Sequence, residues 1–279
     1  MAKKTKILSP KSTSKLWFWF PDIHFPDQDE EALEVALAAH RILQPTHSGF
    51  LGDVLDCDIF SAHSKKTIQE AQTQDFRKLE LDPCNKMIDE VQANTKSTTY
   101  FLEGNHEQRI ERWAVNNGRV GESIYDLISP QATIARGRKD FEMIPYEVPS
   151  GLRRGFVQIA PATAKMKTGG LVAVHGWSFA KHAAYVHLEK SRSQSVLFGH
   201  THRAQSITSR DPWTGNLIKS FNPGTLSHLQ PTYAHGGSPS DWSHGFCLIY
   251  VGAESWTEYC VSIVKGRCVL PDGREIRLV

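Results

Sequence analysis

No apolar run in this chain approaches the ~20 residues needed to cross a bilayer. The lysine-bearing first fifteen residues also lack the apolar centre of a signal peptide. These two absences predict a soluble protein of the cytoplasm with no membrane partner. Cysteine is scarce and poorly arranged for cross-linking: the five residues Cys57, Cys84, Cys247, Cys260 and Cys268 form an odd set without a Cys-x-x-Cys pair. That argues against a disulfide framework and a zinc ribbon, and predicts reduced, structural thiols, with Cys57 open to oxidation only if exposed. Charge of one sign is lacking too, since 32 lysines and arginines against 30 acids leave a net charge of +2. A dedicated DNA-binding domain carries a much larger basic excess. There is no internal repeat and no low-complexity segment.

What charge there is lies unevenly. Lys3, Lys4, Lys6, Lys11 and Lys15 make residues 1–15 a basic arm, read as a flexible solubilising tail, while Asp27 to Glu90 is acidic. The remaining residues, 16–279, are long enough for one large α/β domain. A single domain is expected because five polar clusters, spread from residue 22 to 202, must converge.

Each cluster stands where an apolar, strand-like run ends. Asp22-Ile-His24 follows Leu16 to Phe20, and Gly52-Asp53-Val-Leu-Asp56 follows Gly49 to Leu51. Gly104-Asn105-His106-Glu107 follows Thr99 to Leu102, His175-Gly176 follows Leu171 to Val174, and Gly199-His200-Thr201-His202 follows Val196 to Phe198. A helix is predicted over Asp27 to Leu43, two helical pieces between Ile59 and Gln92 interrupted at Pro83, and a further helix from His106 to Asn117. Strand, ligand loop and helix in series indicate a parallel α/β first half. A helix near Ser123 to Ile128 follows. Phe141 to Val148 and Gly155 to Ile159, parted by Pro149-Ser-Gly151, read as strands of a second, antiparallel sheet. Ser178 to Lys190 reads as a helix with Ser178 as its cap. Beyond Gln205 the segments 205–209, 217–221, 246–251 and 257–264 predict hairpin-linked strands. Between them, residues 229–245 form a long loop expected on the substrate side.

Hard oxygen donors and imidazoles at neighbouring strand ends are what a two-metal hydrolytic site requires. Two divalent cations ~4 Å apart need an anionic bridge, for which Asp53 is the candidate. Asp22 and His24 are two apart and can chelate one ion from an extended strand end. Asn105 supplies a neutral oxygen, and His175, His200 and His202 complete the set. A water bridging the metals would be acidified toward neutral pH and act as nucleophile, so no serine or cysteine is needed. His106, next to a ligand yet outside the set, suits a general acid or transition-state stabiliser. The implied reaction is hydrolysis of a phosphoester.

Asp-x-His, Gly-Asp-x-x-Asp, Gly-Asn-His-Glu, His-Gly and Gly-His-Thr-His, in that order, resemble the calcineurin-like metallophosphoesterase superfamily over roughly residues 16 to 226. The resemblance implies a four-layer α/β/β/α sandwich with two central mixed sheets. It implies Asp22, His24, Asp53 and His202 around a first metal, Asp53, Asn105, His175 and His200 around a second, and His106 as the catalytic histidine. It also implies two divalent ions, manganese first with iron or zinc as alternatives. Gly-Asn-His-Glu is similar to the phosphoprotein phosphatase branch that includes the phage lambda enzyme, although Cys57 and Asp58 stand where that branch has arginine and glycine. Gly-His-Thr-His looks more like phosphodiesterases and repair exonucleases. Arg109, Arg112 and Asn222-Pro-Gly224 add a likeness to small phage-encoded phosphoesterases, whose cytoplasm would be the host's.

The leading expectation is therefore a phosphodiesterase or nuclease acting on a phosphoester, with nucleic acid as a candidate substrate. The alternatives are a Ser/Thr-type phosphoprotein phosphatase and a non-catalytic metal-binding scaffold. Arg109, His182 and His228 are candidate substrate contacts, and Trp242 could stack on a base. Of His182 and His187, five apart on one helix, only one can face the site. His235 and His244 lie in the late loop, Asp56 could hold a loop or touch metal, and Glu107 is expected to be structural.

Overall fold

The computed structural model describes residues 14–61, 75–147, 155–163, 165–191, 194–230 and 241–278. The expected arm through residue 13, the Pro149 to Gly151 turn and residues 231–240 with His235 lie outside them. Strand β1 (Lys15–Phe20) shows how the sequence builds two cores at once. Successive side chains of a strand point to opposite faces. Phe18 and Phe20 enter a core shared with helices, whereas Trp17 and Trp19 enter one shared with another sheet. All four are buried, so the run is apolar throughout instead of alternating.

The first sheet has the order β11-β10-β1-β2-β3-β4. Its members are β1, β2 (His47–Phe50), β3 (Thr99–Leu102), β4 (Phe141–Ile144), β10 (Gly245–Val251) and β11 (Trp256–Ser262). β1 to β4 run parallel, and β10 pairs antiparallel with β1. The second sheet has the order β5-β6-β7-β9-β8. It contains β5 (Val157–Ala160), β6 (Leu171–Val174), β7 (Ser195–Phe198), β8 (Gln205–Arg210) and β9 (Leu217–Asn222), with β6, β7 and β9 parallel. A small ladder joins β12 (Arg267–Val269) and β13 (Glu275–Arg277).

Helices cover both outer faces. α1 (Glu30–Leu43) begins where the Asp29 side chain accepts from Ala32 N at 2.9 Å, with Glu30 and Glu31 in the first turn, where the helix dipole favours acids. α1 and α2 (Asp82–Ala93) close the first sheet, while α5 (Ala183–Lys190) closes the second through Ala183 and Ala184. α3 (Gln108–Asn116) and α4 (Gly118–Ile128) follow β3. The result is a four-layer α/β/β/α sandwich with two mixed central sheets.

Three local expectations are corrected. Phe141–Ile144 is not in the second sheet; it extends the first, parallel to β3, with Phe141 and Met143 on the helix-side core and Ile144 on the core between the sheets. Pro83 does not interrupt a helix. It sits in the first turn of α2, which continues directly from a π turn at Arg77–Leu81. Ser178 does not cap α5: its hydroxyl accepts from Ala180 N, and the helix begins five residues later.

Parallel strands share their carboxyl edge, and loops leaving that edge form the cleft of an open α/β sheet. β1, β2 and β3 of one sheet and β6 and β7 of the other thus deliver all five clusters to one end of the sandwich.

Candidate metal centre

Among the described residues three groups of potential ligands meet there, one of them His24, Asp56 and His106. In the other two, Asp22, His24 and His202 offer atoms within 4.8 Å of one another, as do Asp53, His175 and His200. Asn105 Oδ1 is 3.1 Å from His175 Nε2, which places it beside the second group. Asp53 lies between the two: its Oδ2 is 3.2 Å from His175 Nε2 and 3.8 Å from His24 Nε2. The structure therefore brings together Asp22, His24, Asp53, Asn105, His175, His200 and His202.

The chain accepts backbone strain to do this. His24, Asp53, His200 and His202 all have φ between 49° and 71°, a region costly for residues with a Cβ and concentrated at functional sites. Glycine makes room around them. A Cβ on Gly199 would lie 2.5 Å from Asp22 Oδ2, and one on Gly104 would collide with Asp53 Oδ1. Glu107 binds the loops together. Its Oε1 accepts from Val54 N at 2.8 Å and Leu55 N at 2.9 Å, and its Oε2 from Asp53 N at 3.0 Å and Gly104 N at 2.7 Å. The role is structural, as its place before α3 suggested. Asn222 supports the other side, donating to Gly199 O and Thr201 Oγ1.

These donors fit cations better than one another. His24 Nε2 and His202 Nε2 are 3.1 Å apart, as are His200 Nδ1 and His175 Nε2, so each pair can share at most one proton. Asp22 Oδ2 is buried without a hydrogen-bond partner. His175 Nδ1 donates to Leu51 O at 2.7 Å, which leaves Nε2 as the ligand atom. Burial opposes ionisation of Asp53, yet His175, His106 and His24 hold it well below the usual carboxylate range. Burial would likewise suppress charge on His175, but Asp53 and Asp22 carry it up to about 9, the same carboxylates that would attract a cation. Burial, with His175 adding to it, pushes His200 down to about 3. The clusters could hold metal ions.

His106 sits outside the groups of Asp22 and Asp53 and belongs to the third. Its backbone N donates to Asp53 Oδ1 at 2.9 Å, while Nδ1 lies 2.9 Å from both Asp56 O and Asp56 Oδ1. Asp56 also receives His24 Nδ1 at 3.2 Å. It thus holds two imidazoles, and with them forms the third group of potential ligands. Burial opposes a charged His106, but Asp53 and Asp56 outweigh it and raise its pKa. Arg109 donates to Asp56 O at 2.7 Å and approaches His106 Nε2 at 3.2 Å.

A cavity of about 870 Å³ opens over these groups, lined by His24, Asp53, Asn105, His106, His200 and His202 and by Arg109, Phe179, Arg203 and Trp242. His182 and His228 do not line it. His182 is exposed ahead of α5, and His228 pairs with Asp29 at 3.6 Å. Of the helix pair it is His187 that is buried, yet it serves packing: Nδ1 donates to Ala183 O, Nε2 accepts from Trp177 N, and the ring stacks on Phe198. His244 donates to Ser227 O. Arg112 is exposed. Cys57 is buried, with its thiol pKa pushed up by burial, so it is no oxidation target. Sequence reasoning missed Phe179 and Arg203, whose signal was only their nearness to the fourth and fifth clusters.

No protein-family model matches the chain, and no curated protein matches it. Solved structures with a similar arrangement include vacuolar protein sorting 29 from Cryptosporidium parvum, 13% identical, covering 96% of this chain and 100% of that one, with a TM-score of 0.49. Another is Vps29 complexed with zinc from Entamoeba histolytica, 12% identical, covering 94% and 98%, with a TM-score of 0.45. The phosphoesterase YfcE from E. coli is 15% identical, covering 88% and 98%, with a TM-score of 0.35. Among the described residues no helix is long and apolar enough to cross a membrane.

Proposed function

We propose that this chain is a dinuclear metal-dependent phosphoesterase, acting on phosphodiesters ahead of phosphomonoesters and phosphoproteins. One observation carries the reading: the two donor groups face each other across Asp53 at the floor of an open cavity, with a non-ligand histidine held beside them by Asp56. Asp22, His24, Asp53 and His202 would hold one cation, and Asp53, Asn105, His175 and His200 the other. Manganese is the first choice, with iron or zinc as alternatives. When bound, the cations supply Lewis acidity for a water nucleophile and for the phosphoryl oxygens.

The residues of the chain do the rest. Asp56 fixes the His106 ring through Nδ1 and favours its protonated form, so Nε2 is the atom that gives a proton to the leaving oxygen. Arg109 Nη2 donates to His106 Nε2 at 3.2 Å, so the guanidinium stands where it can turn to an anionic oxygen of an ester bound beside the ring. The cavity of about 870 Å³ is lined beyond the donor groups by Ile59, Phe76 and Leu79 and by Phe179, Arg203 and Trp242, room for both ester arms of a diester.

Hydrolysis of bis(4-nitrophenyl) phosphate with manganese, set beside 4-nitrophenyl phosphate and a phosphoserine peptide, tests the reading. The diester should be cleaved fastest, and His106→Ala should keep its metal while losing about 10²- to 10⁴-fold in turnover. Faster cleavage of the peptide would make the chain a phosphoprotein phosphatase. Bound metal without cleavage of any ester would make it a scaffold.

A further inference from the structure

The cavity has two unlike walls. On the side of Asp56 it is lined by the acids Asp27 and Asp58, and by Glu80, whose pKa burial pushes up to about 8. On the side of the His200–His202 loop it carries two aromatic rings. Phe179 is 71% exposed, a large apolar surface left in water at the mouth of a polar site. Its ring centre is 3.9 Å from that of His200. Trp242 stands 4.1 Å from His202 at an interplanar angle of 67°. The rings thus rest on one histidine from each donor group.

Arg203 ties the two together. Its guanidinium donates to Phe179 O at 3.1 Å and reaches Asp241, the neighbour of Trp242, at 3.4 Å, with Nε 3.4 Å from Thr201 O. One cationic side chain therefore holds both aromatic carriers against the loop that bears His200 and His202. Flat π faces beside a cation and next to a phosphate-processing floor are the elements of a base-stacking platform.

We infer that Phe179, Trp242 and Arg203 form a base-stacking subsite that selects a short single-stranded nucleic acid as substrate, an inference that rests on the phosphoesterase reading above. A duplex is disfavoured because its bases are already stacked on each other and unavailable to side chains. A phosphoserine side chain brings no ring to stack on Phe179 or Trp242. The acidic wall opposes a long polyanion running across the cavity, which favours a short segment or a strand end.

Fluorescence anisotropy with the full chain tests this, using a labelled phosphorothioate hexathymidylate, which resists hydrolysis, an abasic hexamer of the same linkage, and a duplex of equal length. The wild type should bind the base-bearing strand roughly tenfold or more tightly than either control. Phe179→Ala and Trp242→Ala should each weaken that binding by roughly 5- to 150-fold, and Trp242→Phe should fall between. Quenching of tryptophan fluorescence by the strand, lost in Trp242→Phe, gives a second readout independent of any folding defect in the alanine variants. Equal affinity for base-bearing and abasic strands, tighter binding of the duplex, unchanged discrimination in both alanine variants, or tighter binding of a phosphoserine peptide would each overturn the inference. Turnover of bis(4-nitrophenyl) phosphate by the wild type separates the two readings. Base discrimination without that turnover supports the subsite and removes the enzyme, whereas turnover without discrimination does the reverse.

Discussion

Replacing Glu107 by glutamine should cost far more than its near-identical shape suggests. Each carboxylate oxygen accepts two backbone N–H groups, Val54 and Leu55 on one, Asp53 and Gly104 on the other. An amide keeps one oxygen and turns an NH2 toward the second pair of donors, so two buried N–H groups lose their acceptor. Each orphan costs about 1–3 kcal/mol, or about 4 kcal/mol for the pair, against a total stability of about 5–15 kcal/mol. In urea, with a slope of about 3 kcal/mol per M, the midpoint of the metal-free protein should fall by about 1.3 M with an unchanged slope. Because Asp53 and Gly104 are among the donors, metal affinity should fall with it. A midpoint shift below about 0.3 M would refute the idea that this carboxylate holds the two loops.

Burial, with Arg41 adding to it, pushes His40 down to about 4. The unfolded chain therefore takes up the proton first, and stability complete above about pH 6.5 should be lost as pH falls toward 4. The loss is about 3 kcal/mol; unfolding midpoints between pH 7 and 4 should show it, and His40→Gln should flatten the slope. Asp56→Asn should retain bound metal while turnover falls about ten- to a hundredfold, because Asp56 orients His106 and His24 from outside the groups of Asp22 and Asp53; loss of metal measured by elemental analysis would instead make it a ligand. Gly199→Ala should shift Asp22 and lower metal content while circular dichroism stays native, and full metal content would contradict the close approach.

The site was legible because its residues are short motifs at strand ends, where local sequence fixes both chemistry and position. Trp17 to Phe20 announced a buried strand, and the five clusters announced their own convergence. What was illegible depends on long-range pairing. Nothing within Phe141 to Ile144 says that it adds to β3 instead of to β5, since register is set by which core its alternate residues enter. Pro83 reads equally as a break or a helix start until the chain before it is placed. His182 and His228 were plausible by composition, but one faces solvent before α5 and the other pairs with Asp29. Asp56 stands 32 residues from His24 and 50 from His106, so its service to both imidazoles appears only once β1, β2 and β3 lie side by side.

The most direct test of the central claim is the metal stoichiometry of the full chain, measured by manganese titration calorimetry of wild type and Asp53→Asn alongside diester hydrolysis. About two ions should bind each wild-type chain with turnover of the diester, and the variant should show impaired binding at both positions and no turnover, because Asp53 Oδ2 lies within 3.8 Å of a histidine of each donor group. A single ion per wild-type chain, or an Asp53→Asn protein that still binds two ions and hydrolyses the diester, would contradict it.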